Sequence, residues 1–137
     1  MDRGYSLRGG AGAGRRLAAA VLEFESFVKR RAFGCKSCGQ CILQWTAFTC
    51  PMRCPKGLRN GPCGGATAQG RCEVEPERPC VWTLIWRRSQ RWGRLGKVFL
   101  HQPTLDWRLF GTSAWCNHVA GRDAALFGEL RREERES

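Results

Sequence analysis

Between Arg15 and Arg31, apolar residues recur at three- and four-residue intervals: Leu17, Ala20, Val21, Phe24, Phe27 and Val28 share one face of a helix. Lys29, Arg30 and Arg31 in its last turn complement the negative end of the helix dipole. The period then stops. From Cys35 to Cys80 glycines, prolines and charged residues alternate without a lasting pattern, and turn chemistry takes over. A short extended piece is expected around Cys72 to Val74, followed by a turn. Helical spacing returns at Val81, Trp82, Ile85 and Trp86, with Arg87, Arg88 and Arg91 in the following turns and Gly93 and Gly96 ending the element. Residues 97–121 mix aromatics with turn residues and keep no period, so Trp107, Phe110 and Trp115 are expected to pin an extended arm to a surface. Asp123 is expected to cap a short helix through Leu130, beyond which the charged terminus frays.

These elements divide the chain into a glycine-rich flexible tail (1–14), an amphipathic helix (15–32), a cysteine-rich domain (33–121) and a short charged helix and tail (122–137). The fold class expected is a small, α-rich and irregular metal-bound domain, with cysteine-rich loops flanked by helices and little β structure. A chain of 137 residues is one domain's worth, with a single core. The first helix has two readings. The favoured one packs its apolar face on the chain's own core; the alternative docks that face on a partner subunit, and exposure of Phe24 and Phe27 separates them.

Cysteine changes the picture most. Eight of the nine cysteines lie between Cys35 and Cys80, at 35, 38, 41, 50, 54, 63, 72 and 80. Three thiols spaced C-x2-C-x2-C can converge on one inorganic centre, whereas disulfides among them would need separated backbones. The bacterial ferredoxin run is C-x2-C-x2-C-x3-C-P; here the first three cysteines match and the fourth spacing does not, with Cys50-Pro51 and Cys54-Pro55 following. An iron–sulfur centre is the first expectation and a four-thiolate zinc site the rival. Cys35, Cys38, Cys41 and Cys50 form one tidy ligand set and Cys54, Cys63, Cys72 and Cys80 the other, although interleaved ligation fits the spacing too. Gly39, Gly61, Gly64 and Gly65 would let backbone N–H groups approach the bound sulfurs. Cys116, His118 and His101 are the remaining candidates; Cys116-x-His118 is close in sequence and far from the other thiols, so it stays outside the ligand set.

The apolar run Leu17–Leu22 is cut by Glu23 and Glu25 before it reaches the length of an export signal, and no stretch is apolar enough to span a bilayer. A cytoplasmic location is therefore expected, where thiols stay reduced and clustered cysteines indicate metal. The net charge of +11 divides as +4 over residues 1–34, +3 over 35–80 and +4 over 81–137. Two four-thiolate sites of about −2 each would turn the middle segment to about −1. Its basic residues then balance thiolates, so nucleic acid is an unlikely partner and a zinc-ribbon-like binder the weakest reading. There is no phosphate-binding glycine loop, dinucleotide fingerprint or nucleophile–base–acid set.

The stretches CPMRCPKGLRNGPCGG (residues 50–65) and CEVEPERPCVW (residues 72–82), with DWRLFGTSAW further on, resemble the C-terminal domain of methylenetetrahydrofolate reductases. In some bacteria that domain is a separate small subunit beside the flavin-bearing catalytic subunit. The resemblance runs from about Phe33 to Gly121. It implies a non-catalytic accessory subunit of one-carbon metabolism that carries one or two 4Fe–4S clusters, with zinc an option at one site. It further implies association with the flavoprotein and electron transfer to its flavin. The matching ligand positions are Cys35, Cys38, Cys41, Cys50, Cys54, Cys63, Cys72 and Cys80. A structural zinc module without a redox role is the alternative.

Overall fold

The computed structural model describes residues 12–98 and 104–136. Most of the expected N-terminal tail, and His101, lie outside the described residues. Helix α1 spans Ala13–Phe33, starting two residues ahead of the predicted face, and ends where Gly34 adopts φ 66° and donates its N–H to Arg30 O at 3.1 Å. Helices α2 (Val81–Arg91), α3 (Leu95–Val98), α4 (Ala114–Val119) and α5 (Ala124–Glu136) follow, with single 3₁₀ turns at Pro51–Arg53 and Trp107–Leu109. β structure among the described residues amounts to one antiparallel bridge, Arg71 with Pro79. The helix-rich, strand-poor architecture agrees with the sequence expectation.

Helix α1 turns the opposite way from the favoured reading. Glu25 and Lys29 are buried and Leu22 and Ser26 half-buried, whereas Phe24 is 64% and Phe27 67% exposed, with Leu17 and Val28 also exposed. Positions 22, 25, 26 and 29 form a stripe of their own at helical spacing, and the inward side is polar because it faces the cysteine loops. Glu25 satisfies Lys29 and the Ser113 hydroxyl at once, so the buried charges are paired.

Among the described residues, two small apolar clusters stand where a single core was expected. Ile42, Trp45 and Phe127 form one, with the Trp45 and Phe127 rings stacked at 5.1 Å; Val81, Trp82 and Ile85 form the other, backed by Cys80 and Val98. Trp86, on the predicted apolar face of α2, is exposed. Gly96 lies inside α3 instead of ending α2. Helix α5 runs through the charged terminus to Glu136, so that segment is helical where fraying was expected.

The arm after residue 104 is held chiefly by polar contacts: Trp107, Phe110 and Trp115 are exposed, although Trp115 does pin the arm to α1 through Phe24 and the Lys29 ammonium, 5.1 Å from its ring centre. The buried Gln40 amide pairs with both backbone groups of Asp106, Nε2 donating to O at 2.7 Å and Oε1 accepting from N at 3.0 Å. Asn117 Nδ2 donates to Gly39 O (2.8 Å) and Thr112 Oγ1 (2.7 Å), and Gly111 N donates to Ser37 O (2.8 Å). The loop carrying the first three cysteines is thus clamped by residues 106–117. Replacing Asn117 by Leu strands the buried Gly39 carbonyl and the half-buried Thr112 hydroxyl and is expected to lower unfolding free energy by about 1–3 kcal/mol, read from urea denaturation. A change at exposed Val119 should stay within about 0.5 kcal/mol.

Candidate metal centres

Cys35, Cys38, Cys41 and Cys50 line one cavity; Cys54, Cys63, Cys72 and Cys80 line another. Each has a volume of ≈ 20 Å³, above the roughly 10–15 Å³ one water needs. The first sits between α1, the clamped loop and the Pro51–Arg53 turn; Lys29 and Arg59 also line it. The second is formed by the loops before α2, with Trp82 at its wall and the indole Nε1 donating to Leu58 O at 3.0 Å. The Arg71–Pro79 bridge and the Cys72 N to Arg78 O bond (3.0 Å) bring Cys72 and Cys80 side by side.

Backbone N–H groups point at sulfur from two residues downstream. Ser37 N lies 3.2 Å from Cys35 Sγ and Gly65 N 3.3 Å from Cys63 Sγ. Leu43 N–H serves Cys41 in the same way, and Met52 N–H, with Lys36 N–H, serves Cys50. Ser37 reaches this position with φ 53°, an uncommon conformation for a residue other than glycine, asparagine or aspartate. Such donors favour thiolate over thiol.

The thiols themselves do not meet at a point. Among the described residues, no group of three or more cysteine, histidine, aspartate or glutamate side chains is arranged to hold a metal ion. Local acceptors take their protons instead: Cys35 is hydrogen-bonded with Cys50, Cys38 approaches Gln40 O at 3.5 Å, and Cys63 approaches Glu73 Oε1 at 3.9 Å. Ligation would require those protons to leave. The metal-bound part of the expected fold class is therefore not on view, while the grouping of thiols is.

The first cavity is electrostatically uneven. Cys35 is lowered to about 6, chiefly by its hydrogen bond with Cys50, helped by Ser37 N–H and the Lys29 charge and opposed by burial. Cys50 is pushed up by the same hydrogen bond and by burial. Burial raises Cys41, with Lys29 opposing. Burial also pulls Lys29 down, but Cys41, the Glu25 hydrogen bond and Cys35 outweigh it, leaving Lys29 above the ordinary lysine range. At the mouth of the second cavity the exposed Lys56–Glu73 pair holds Glu73 below the usual carboxylate range.

Four thiols around a cavity, with N–H groups aimed at sulfur, suit soft centres such as zinc or iron–sulfur clusters. Cys116 lines neither cavity, and His118 instead faces Asp123, Nδ1 to Oδ2 at 3.2 Å. Sequence reasoning missed Glu25, Lys29, Gln40, Ser113 and Asn117, and Arg59 figures there only as one of the basic residues balancing thiolates. Only Lys29 and Glu25 carried any signal, as a charged i,i+4 pair interrupting an apolar helix.

A family model described as methylene-tetrahydrofolate reductase C terminal matches residues 15–108. The match begins on α1, ahead of Phe33, takes in all eight clustered cysteines, and stops at Arg108, short of Gly121. No curated protein and no solved structure matches the chain.

Proposed function

Because the chain belongs to the methylene-tetrahydrofolate reductase C-terminal family, we propose that it is a non-catalytic accessory unit that associates with a flavin-bearing reductase of that type. In this reading Cys35, Cys38, Cys41 and Cys50 hold one inorganic centre and Cys54, Cys63, Cys72 and Cys80 a second. At least one is a 4Fe–4S cluster, which supplies one-electron chemistry toward the partner's flavin. The residues of this chain bind and orient the centre, screen it from water, and set its charge environment. The observation that carries the reading is family membership coinciding with two cavities, each lined by four cysteines.

The reductase docks, in this proposal, on the outward face of α1. From residue 15 onward that helix lies within the family match, and Leu17, Phe24 and Phe27 stand exposed on it. Trp115 extends the patch, its ring 6.4 Å from that of Phe24. Burying each large side chain is worth about 1.5–3 kcal/mol. Doubly substituting Phe24→Asp and Phe27→Asp is therefore expected to abolish co-elution with the purified reductase subunit while leaving bound metal unchanged. Undiminished co-elution would contradict docking through α1, and failure of the wild-type protein to bind any reductase of this type would contradict the function.

A structural zinc role is the second reading, and it applies best to the second cavity. Its ligands sit in turns outside the helices and Cys63 is exposed, so four thiolates closing on zinc would hold loops that little apolar burial supports. No helix among the described residues is long and apolar enough to cross a membrane.

A further inference from the structure

Arg59 is 3% exposed and lines the first cavity. Its Nη1 lies 3.8 Å from Cys38 Sγ, while Nε and Nη2 are buried without a hydrogen-bond partner. Three features make this unusual. A buried guanidinium is costly unless a negative charge faces it. The neighbouring cation, Lys29, is already matched by Glu25. At the second cavity Lys56 and Arg78 pair with Glu73 and Glu75 at the surface. Among the described residues that line the two cavities, Arg59 alone brings an unmatched charge to a thiol-lined space.

We propose that Arg59 is a positioning residue for the group bound by Cys35, Cys38, Cys41 and Cys50, supplying the positive charge and N–H donors that hold it and easing its uptake of an electron. The inference deepens the iron–sulfur reading and rests on it for its redox part. Four thiolates around a +2 core carry about −2, which becomes about −3 when one electron enters from a reductant. Lys29 and Glu25 cancel each other, so Arg59 reduces the local negative charge to about −1 before and about −2 after reduction. A fixed cation favours the more negative state, and its N–H groups toward sulfur act in the same direction.

The test compares the anaerobically purified wild-type protein with Arg59→Met and Arg59→Lys by iron and sulfide content, visible spectrum and dithionite titration. With the chromophore retained, Arg59→Met is expected to shift the one-electron reduction equilibrium at least tenfold toward the oxidised form, about 59 mV, and Arg59→Lys to recover part of the shift. Loss of the chromophore in Arg59→Met with retention in Arg59→Lys also supports the charge role. Equal potentials in all three proteins, or equal loss in both variants, would overturn it. A colourless, zinc-loaded wild type would instead refute the iron–sulfur reading and leave Arg59 testable. Zinc should then leave the first site of Arg59→Met at least tenfold faster under chelator than that of Arg59→Lys, and equal release would overturn the proposal.

Discussion

Stripping metal from the folded protein with a strong chelator under reducing conditions is expected to abolish its cooperative unfolding transition. The packing explains why. The two apolar clusters contain three residues each, and between them lie loops whose cysteines range from buried to exposed. Domains of this size are stable by only about 5–15 kcal/mol, whereas binding at one structural thiolate site contributes about 10–16 kcal/mol in small zinc peptides. If both sites bind metal, losing two such contributions would exceed the whole stability of a domain of this size. Circular dichroism should lose α2, which begins directly after Cys80, and tryptophan emission should move to the red as Trp45 and Trp82 become exposed. Restoring metal, with sulfide where iron is used, should restore both signals. Unchanged spectra after complete metal removal would mean that the loops fold without a centre.

Replacing Gly39 by Ala should be strongly destabilising. Gly39 stands between Cys38 and Cys41 at φ 75°, and a Cβ there would overlap the carbonyl oxygen of Leu109 and the Thr112 hydroxyl. Left-handed backbone costs a residue with a Cβ about 1–2 kcal/mol, and overpacking adds about 1–3 kcal/mol. The Leu109 carbonyl has little room to retreat, because Gln40 holds Asp106 and Asn117 holds Thr112 on either side of it. We expect a loss of about 2–5 kcal/mol in urea denaturation, with metal released from the first site before the second. Gly64 supplies the control: its φ is 79°, but nothing lies within 4 Å of an added Cβ. Gly64→Ala should therefore cost only the backbone share, about 1–2 kcal/mol. Equal losses at both glycines would show that the loop is not clamped as described.

That clamp also marks the limit of what the sequence reveals. Helices α1 and α2 are legible because their apolar residues recur at helical spacing, and the cysteine groups are legible because thiols crowd into one segment. The direction α1 faces is not. Spacing identifies an apolar stripe, but the competition between Phe24 and Glu25 for the interior is decided by Ser113 and Trp115, about 90 residues away, both of which offer donors to Glu25. Gln40 and Asn117 were hidden for the same reason, since their partners lie 66 and 78 residues distant. The aromatic residues of the arm were expected to pin it to a surface; Trp115 does so against Phe24 and Lys29, whereas Trp107 and Phe110 stay exposed and Leu109, Ser113 and Asn117 take the buried places. Arg59 read as one charge among many in a basic segment until its burial beside Cys38 was seen.

Metal and acid-labile sulfide analysis of anaerobically purified protein, with its absorption spectrum before and after dithionite, addresses the account at its base. We predict two metal centres per chain held by the eight clustered thiols, at least one of them a brown chromophore absorbing near 400 nm that bleaches on reduction. A protein that is fully folded yet carries no metal would contradict it.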